Sequence, residues 1–129
     1  MAGTAQNSGK TLYERMGGYD VIAAIVDDFL AITRSDPRFA RFGGGRSSDS
    51  IRRSRQLIVN QLCELAGGPC VYSGRDMRTS HAGLGITQSE WESSLRYVQA
   101  ALRDAGIPPK EAGEFISFFE RYRAEIVEG

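Results

Sequence analysis

The sequence has a single histidine, His81. Every metal or catalytic site that needs two imidazoles is therefore excluded, including the zinc site of the HExxH metalloproteases. The two cysteines, Cys63 and Cys70, are too few for a disulfide-built scaffold and do not have CxxC spacing. They lie close enough in sequence to form a bridge, but we expect free thiols in a reduced, cytoplasmic protein, with Cys63 serving as a packing residue.

An excess of charge and a long apolar run are also absent. Sixteen Lys and Arg residues balance sixteen Asp and Glu residues, which argues against nucleic acid as a partner. The longest apolar run, Val21 to Val26, is far shorter than a membrane span. The first ten residues are polar and contain no hydrophobic stretch of a secretory signal. We therefore expect a cytoplasmic protein that binds neither nucleic acid nor membrane.

The chain of 129 residues is long enough for one domain, and its content of 41% hydrophobic and 25% charged residues is typical of globular proteins. We predict a disordered lead over residues 1–10 and one domain over 11–129. Apolar residues recur at helical spacing, as Ile22, Ile25, Val26 and Phe29 do, and no segment alternates for long enough to be a strand. The sequence therefore predicts an all-α fold with four substantial helices and several short ones.

Capping and breaking residues indicate where the helices begin and end. Two capping boxes, Thr11 to Glu14 and Thr87 to Glu90, each open a helix. Gly67, Gly68 and Pro69 end a long helix that starts at 48–50. The other predicted helices are a long one from about residue 20, short ones after Asp36-Pro37 and around 76–82, and a last one through 115–126.

The segment from residue 34 to residue 55 is locally basic. It has two interpretations, a solvated surface or a site for carboxylate or phosphate anions, which guanidinium groups bind through paired hydrogen bonds. Aromatic residues are barely interleaved in it, which disfavours nucleic acid. The arginines are Arg34, Arg38, Arg41, Arg46, Arg52, Arg53 and Arg55.

The residues near His81 in the sequence indicate more about its role than the fact that it is the only histidine. Met77 lies one helical turn before it, and Leu84 and Ile86 follow, so an apolar wall is possible there. One interpretation is an ordinary packed or exposed histidine with no ligand. The other is an axial imidazole beneath a flat apolar cofactor, which needs one ligand, apolar contacts and cations for its carboxylates.

Several sequence blocks occur in an order that resembles a known family. They are TLYERMGG (11–18), DPRFARF (36–42), GG (67–68), YSGRDM (72–77) and SHAGL (80–84). Over residues 11–127 the chain resembles the truncated haemoglobins, most closely group I. The resemblance implies a two-over-two helical sandwich around haem b (iron protoporphyrin IX), with His81 as the proximal iron ligand. It also implies reversible binding of O2, CO and NO on the opposite face.

The resemblance further implies which residues contact the haem. Arg53 matches a family position where a cation meets a propionate, and Arg78 is a second candidate; either one is otherwise solvated. Tyr72 and Trp91 complete the set outside the apolar positions. The predicted haem-binding residues are Phe29, Leu30, Phe42, Arg53, Leu57, Ile58, Tyr72, Met77, Arg78, Leu84, Ile86 and Trp91.

The distal positions depart from the family pattern. Many group I members have tyrosine where this chain has Leu30, and glutamine and histidine on the next helix where ungapped alignment gives Ser54 and Leu57. The usual hydrogen-bond donors to O2 are therefore missing, and Ile58 adds a further apolar side chain. Gln61 either enters the distal pocket as a polar candidate, as Ser54 does, or is an ordinary surface residue.

The resemblance leaves the physiological role open among oxygen transport or handling, NO dioxygenation with an external reductase, and gas sensing. No catalytic residue is assigned, and we expect a monomer or weak dimer. The alternative from another class is a haem-free helical interaction module that binds an acidic partner through its arginine-rich segment, residues 34–55.

Overall fold

The computed structural model describes residues 10–42 and 48–128, with the side chains of Arg41, Phe42 and Ser48 excepted. Most of the predicted disordered lead and the Gly43–Gly45 break therefore lie outside the described residues. In the described ranges the regular structure is helical. The elements are α1 (Leu12–Met16), α2 (Tyr19–Arg34), a 3-10 helix (Pro37–Phe42), α3 (Ser48–Leu65), α4 (Met77–His81), α5 (Gln88–Asp104), α6 (Pro109–Glu120) and α7 (Arg123–Ile126).

Both predicted capping boxes are present. The Thr11 hydroxyl accepts the Glu14 N–H at 3.2 Å, and the Glu14 carboxylate accepts the Thr11 N–H at 3.0 Å. The same reciprocal pair joins Thr87 and Glu90 at 3.1 and 3.0 Å. Each box satisfies two backbone donors that a helix N-terminus otherwise leaves unpaired, which fixes where α1 and α5 begin.

The hydrophobic core lies where α2 packs against α5 and α3. The apolar stripe of α2 supplies Ile22, Ile25 and Val26, all at most 2% exposed. Phe115 of α6 is fully buried and closes the core from a further side. Burial of each such side chain contributes about 1.5–3 kcal/mol. In the stretches that the structure describes, no helix is long and apolar enough to cross a membrane.

The prediction of one continuous last helix was wrong. Helix α6 ends at Glu120, and α7 begins at Arg123 after a turn in which the Tyr122 N–H bonds the Phe119 carbonyl at 3.0 Å. This bond spans three residues instead of four, so the regular α-helical pattern is interrupted there. The apolar periodicity continues through the turn, which is why spacing alone did not reveal it. Helix α7 packs against α4.

The expectation of free thiols was also wrong, because Cys63 and Cys70 form a disulfide with their Cα atoms 5.7 Å apart. The chain reverses after α3, and the Gly68 N–H bonds the Cys63 carbonyl at 2.8 Å. A Cβ at Gly68 would lie 2.3 Å from the Tyr13 ring and 2.7 Å from the Cys63 sulfur, so only glycine fits. The glycine turn therefore brings the two sulfurs together.

A partly buried ion pair fastens α1 to α6. The Arg15 guanidinium donates to Glu111 at 2.8 Å and to both oxygens of Glu114 at 2.7 and 2.9 Å. This pairing lowers the pKa of Glu114 and raises the pKa of Arg15 above its ordinary value. The two-oxygen contact with Glu114 is the geometry in which arginine binds a carboxylate most strongly.

Candidate functional site

His81 is the last residue of α4, and its imidazole is half-buried. Its Nδ1 lies 2.9 Å from the Met77 carbonyl oxygen and also 2.9 Å from the Ser80 hydroxyl. Because a carbonyl oxygen only accepts, the contact with Met77 assigns the ring proton to Nδ1. Nε2 then has the free electron pair, which is the state in which neutral imidazole ligates a metal.

The apolar residues around His81 do not belong to the central core. Met77 and Ile86 are half-buried, and Leu84 is 37% exposed. Leu57 of α3 is also half-buried and likewise lies outside the core cluster. Across the described residues, α4 packs on α7 and makes no extensive contact with α3. The two helices predicted to face the haem from opposite sides therefore keep apolar surface that the protein does not cover.

Three predicted haem-site residues on α2 and α3 pack against the hydrophobic core, unlike the apolar residues around His81. Phe29, Leu30 and Ile58 are partly buried and pack against it. The Phe29 ring lies 6.2 Å from that of Phe119, which in turn lies 5.8 Å from Phe115. The sequence predicts the helix that contains Phe115 and Phe119, but it does not indicate that Phe119 packs against Phe29.

The predicted polar and aromatic residues have different settings. Ser54 and Gln61 are both half-buried on α3. The Tyr72 N–H donates to Glu64 at 3.0 Å, and its hydroxyl donates to the Arg75 carbonyl. Burial raises the pKa of Tyr72. The hydroxyl of Tyr72 thus stabilises its own loop, and its ring is the part left for a haem contact.

Trp91 lies near the start of α5 and is only 5% exposed. It is the most deeply buried of the predicted haem-binding side chains that the structure describes. The side chain of Phe42, another predicted contact, lies outside the described residues.

The arginine-rich segment is partly neutralised within the protein. Arg38 pairs with Asp36 at 2.8 Å, Arg55 pairs with Asp27 at 2.8 Å, and Arg52 pairs with Asp49. The pKa of Asp27 is lowered chiefly by its hydrogen bond from Arg55. These internal pairs weaken the case for a dedicated anion surface.

The two propionate candidates, Arg53 and Arg78, have exposed side chains. They lie on α3 and α4, the two helices predicted to face the haem, so a solvent-facing cation is available from each helix.

Glu128 is a residue of this region that sequence reasoning missed. One oxygen of its carboxylate accepts the Gly83 N–H at 3.1 Å, and the other accepts the Gly85 N–H at 2.8 Å. Its own N–H donates to the Ile86 carbonyl at 2.8 Å. The carboxylate contacts span 45 and 43 residues, so no local pattern in the sequence indicates them.

The donor set and its surroundings fit haem. One imidazole has Nε2 available, apolar side chains of α3, α4 and the loop after His81 are incompletely covered, and cations lie at the exposed side. A helical domain with these features belongs to the class of globin-like haem proteins.

Comparison with known proteins agrees with this class. A profile of the bacterial-like globins matches residues 11–128. The group 1 truncated haemoglobin GlbN of Mycolicibacterium paratuberculosis is 25% identical over 119 residues, which cover 92% of this chain and 85% of that protein.

Solved structures show the same fold. The haemoglobin of the thermophilic phototrophic bacterium Chloroflexus aurantiacus has 27% identity and a TM-score of 0.79, covering 93% of this chain and 99% of that one. The truncated haemoglobin of Tetrahymena pyriformis has 23% identity and a TM-score of 0.83, covering 93% of this chain and 100% of that one.

The chain belongs to the bacterial-like globin family. It is similar to group 1 truncated haemoglobins, which confirms the predicted family and the predicted all-α globin fold. Proteins of this family bind haem b and diatomic gases, so haem is the cofactor.

Proposed function

We propose that this protein binds O2, CO and NO reversibly at ferrous haem b, with Nε2 of His81 as the proximal iron ligand. The observation that supports this most directly is the 2.9 Å contact between His81 Nδ1 and the Met77 carbonyl. A hydrogen bond at Nδ1 fixes the tautomer and the orientation of the ring, which leaves Nε2 as the ligating nitrogen. Haem, when bound, supplies the iron at which a gas binds.

The other residues exclude water and hold the cofactor. Leu57, Met77, Leu84 and Ile86 provide apolar surface for the haem ring, since burial of apolar area stabilises the bound state. Arg53 and Arg78 are proposed to meet the propionates from the exposed side. The side chains of Leu30, Leu57 and Ile58 offer no hydrogen-bond donor to a gas ligand.

For the physiological role we retain oxygen transport or handling, NO dioxygenation with an external reductase, and gas sensing. NO dioxygenation is tested by following NO loss and nitrate formation in the oxygenated protein with an added flavin reductase. Single turnover without recovery of the ferrous protein would contradict a sustained dioxygenase role. The proposed protein is a monomer or weak dimer.

The proposed cytoplasmic location has one observation against it, the Cys63–Cys70 disulfide. Structural disulfides are rare in reducing compartments. Trapping thiols with an alkylating reagent at the moment of cell lysis tests the location, because a cytoplasmic protein is expected to be captured with both cysteines alkylated.

The haem proposal is tested with His81→Gly. Wild-type protein mixed with haem is expected to give a Soret band at one haem per chain, and a ferrous spectrum of a histidine-ligated iron. His81→Gly is expected to lose that ferrous spectrum, and added imidazole to restore it. Gln99→Ala, at an exposed position of α5, is the control and keeps the wild-type spectrum. An unchanged ferrous spectrum in His81→Gly would show that the ligand assignment is wrong.

The haem-free interaction module, the alternative drawn from the sequence, disagrees with the membership of this chain in a haem-binding family. It predicts that no Soret band develops after haem addition, and that an acidic polypeptide binds with a strong salt dependence. Three of the arginines it requires, Arg38, Arg52 and Arg55, are already paired with carboxylates of this chain. The same reconstitution experiment therefore separates the two functions.

A further inference from the structure

The loop after His81 is attached to the last described residue of the chain. Glu128 accepts the N–H groups of Gly83 and Gly85, one with each carboxylate oxygen, and donates its own N–H to the Ile86 carbonyl. Three hydrogen bonds therefore join one residue to a four-residue segment. Hydrogen bonds to a carboxylate are stronger than those between neutral groups.

Local structure defines only the start of the segment, where the Leu84 N–H donates to the His81 carbonyl at 3.2 Å in a turn that has Gly83 at its third position. Gly83 and Gly85 have φ values of +81° and +67°, in the left-handed region. Glycine adopts many other conformations at little cost, so an unattached segment would sample them. A Cβ placed on either glycine would meet nothing within 4 Å, so packing does not impose this conformation either.

Glu128 can hold the loop because it is itself held. It follows α7, in which Ile126 is 7% exposed and the Val127 N–H bonds the Arg123 carbonyl at 2.9 Å. Helix α7 packs against α4, the helix that ends in His81. The attachment is thus a bridge between two elements that already touch.

We propose that Glu128 is a positioning residue for the proximal side of the haem site. By fixing residues 83–86 it sets where Leu84 and Ile86 lie and how α4 ends, and so the orientation of the His81 imidazole. The inference rests on the proposed function, since it takes His81 as the iron ligand.

Two variants and a control separate this role from a general effect of charge. Glu128→Ala removes both acceptors, whereas Glu128→Gln keeps one oxygen and places an amide donor where the second was. Glu120→Gln is the matched control. Glu120 is an exposed glutamate at the end of α6, and its substitution by glutamine removes the same charge.

The first measurement is amide hydrogen exchange of Gly83 and Gly85 in the haem-loaded full chain. Loss of the carboxylate is expected to speed exchange by about tenfold in Glu128→Ala, since one charge-assisted bond has about that effect on an opening equilibrium. Glu128→Gln is expected to be intermediate and Glu120→Gln unchanged. Equal exchange in all four proteins would overturn the attachment itself.

The second measurement is the iron–histidine stretching band in the resonance Raman spectrum of the ferrous protein. We expect the band to shift and broaden in Glu128→Ala and to recover in part in Glu128→Gln. A band unchanged in Glu128→Ala, beside a normal wild-type band, would overturn the positioning role alone. A wild-type protein without any such band would overturn the proposed function and the role of Glu128 with it.

Discussion

The Cys63–Cys70 disulfide should make a measurable contribution to stability, and its size follows from the loop that it closes. The bonded cysteines are seven residues apart in the sequence. In the chain-entropy model a loop of this length destabilises the unfolded state by about 2.4 kcal/mol. We therefore expect reduction, or the substitution Cys70→Ala, to lower the free energy of unfolding by about that amount.

Urea unfolding is the suitable assay, at a fixed haem concentration because haem binding adds to apparent stability. With the usual denaturant dependence of small domains, the midpoint should fall by roughly 1–2 M. Cys70→Ala is preferable to a change at Cys63, because Cys63 is fully buried and its truncation would add a cavity effect.

The control is the reducing agent applied to Cys70→Ala, which has no bond to lose and should keep its midpoint. Thiol counting under denaturing, non-reducing conditions should find no free thiol in the oxidised wild-type protein. If the oxidised protein lacked free thiols and reduction still left its midpoint unchanged, the loop-entropy reasoning would be refuted.

Further predictions concern the distal pocket, a carboxyl pair and the iron. Leu30→Tyr introduces a hydroxyl donor and should slow O2 dissociation by about 10–100-fold in stopped-flow measurements, which is the effect of one strong hydrogen bond. Gln61→Leu should leave the rate of O2 dissociation unchanged. Marked acceleration in Gln61→Leu would identify Gln61 as the stabilising donor. The neighbouring Asp104 carboxylate raises the pKa of Asp28, whose buried Oδ2 has no hydrogen-bond partner among the described residues. Because the ionised carboxylate is the form that the folded protein disfavours, Asp28→Asn should stabilise the protein at pH 7 in urea titrations, and the gain should shrink as the pH falls below the raised pKa and be lost below the ordinary carboxyl pKa. A gain independent of pH would contradict this. Since His81 is the only histidine, ferrous protein without added ligand should be five-coordinate and high-spin, and a low-spin spectrum with two nitrogen ligands would disprove it.

The features predicted correctly from the sequence depend on residues close together in the chain. The capping boxes at Thr11 and Thr87 span three residues, and Met77 precedes His81 by one turn of the same short helix. Helical geometry alone brings such residues together. The family resemblance then supplied the assignment of haem, which spacing around one histidine does not provide.

The errors and omissions have separate causes. The expectation of free thiols followed from the expected compartment, whereas the bridge forms at a turn in which the Gly68 N–H bonds the Cys63 carbonyl. The break after Glu120 is a single tightened turn, which leaves the apolar periodicity intact. Glu128 contacts Gly83 across 45 residues, and only the packing of α7 on α4 establishes that neighbourhood.

The way in which α4 is attached has a consequence for local unfolding. Helix α4 and the loop after it are attached to α7 and Glu128, whereas the core is formed by α1, α2, α3, α5 and α6. Segments with few core contacts open at lower free energy than the core does, and segments that depend on each other open together. We expect residues 77–86 and 121–128 to detach as one cooperative unit, exposing the proximal side to solvent while the core helices remain folded. Loss of the cofactor would then require only this small opening and not the unfolding of the whole domain.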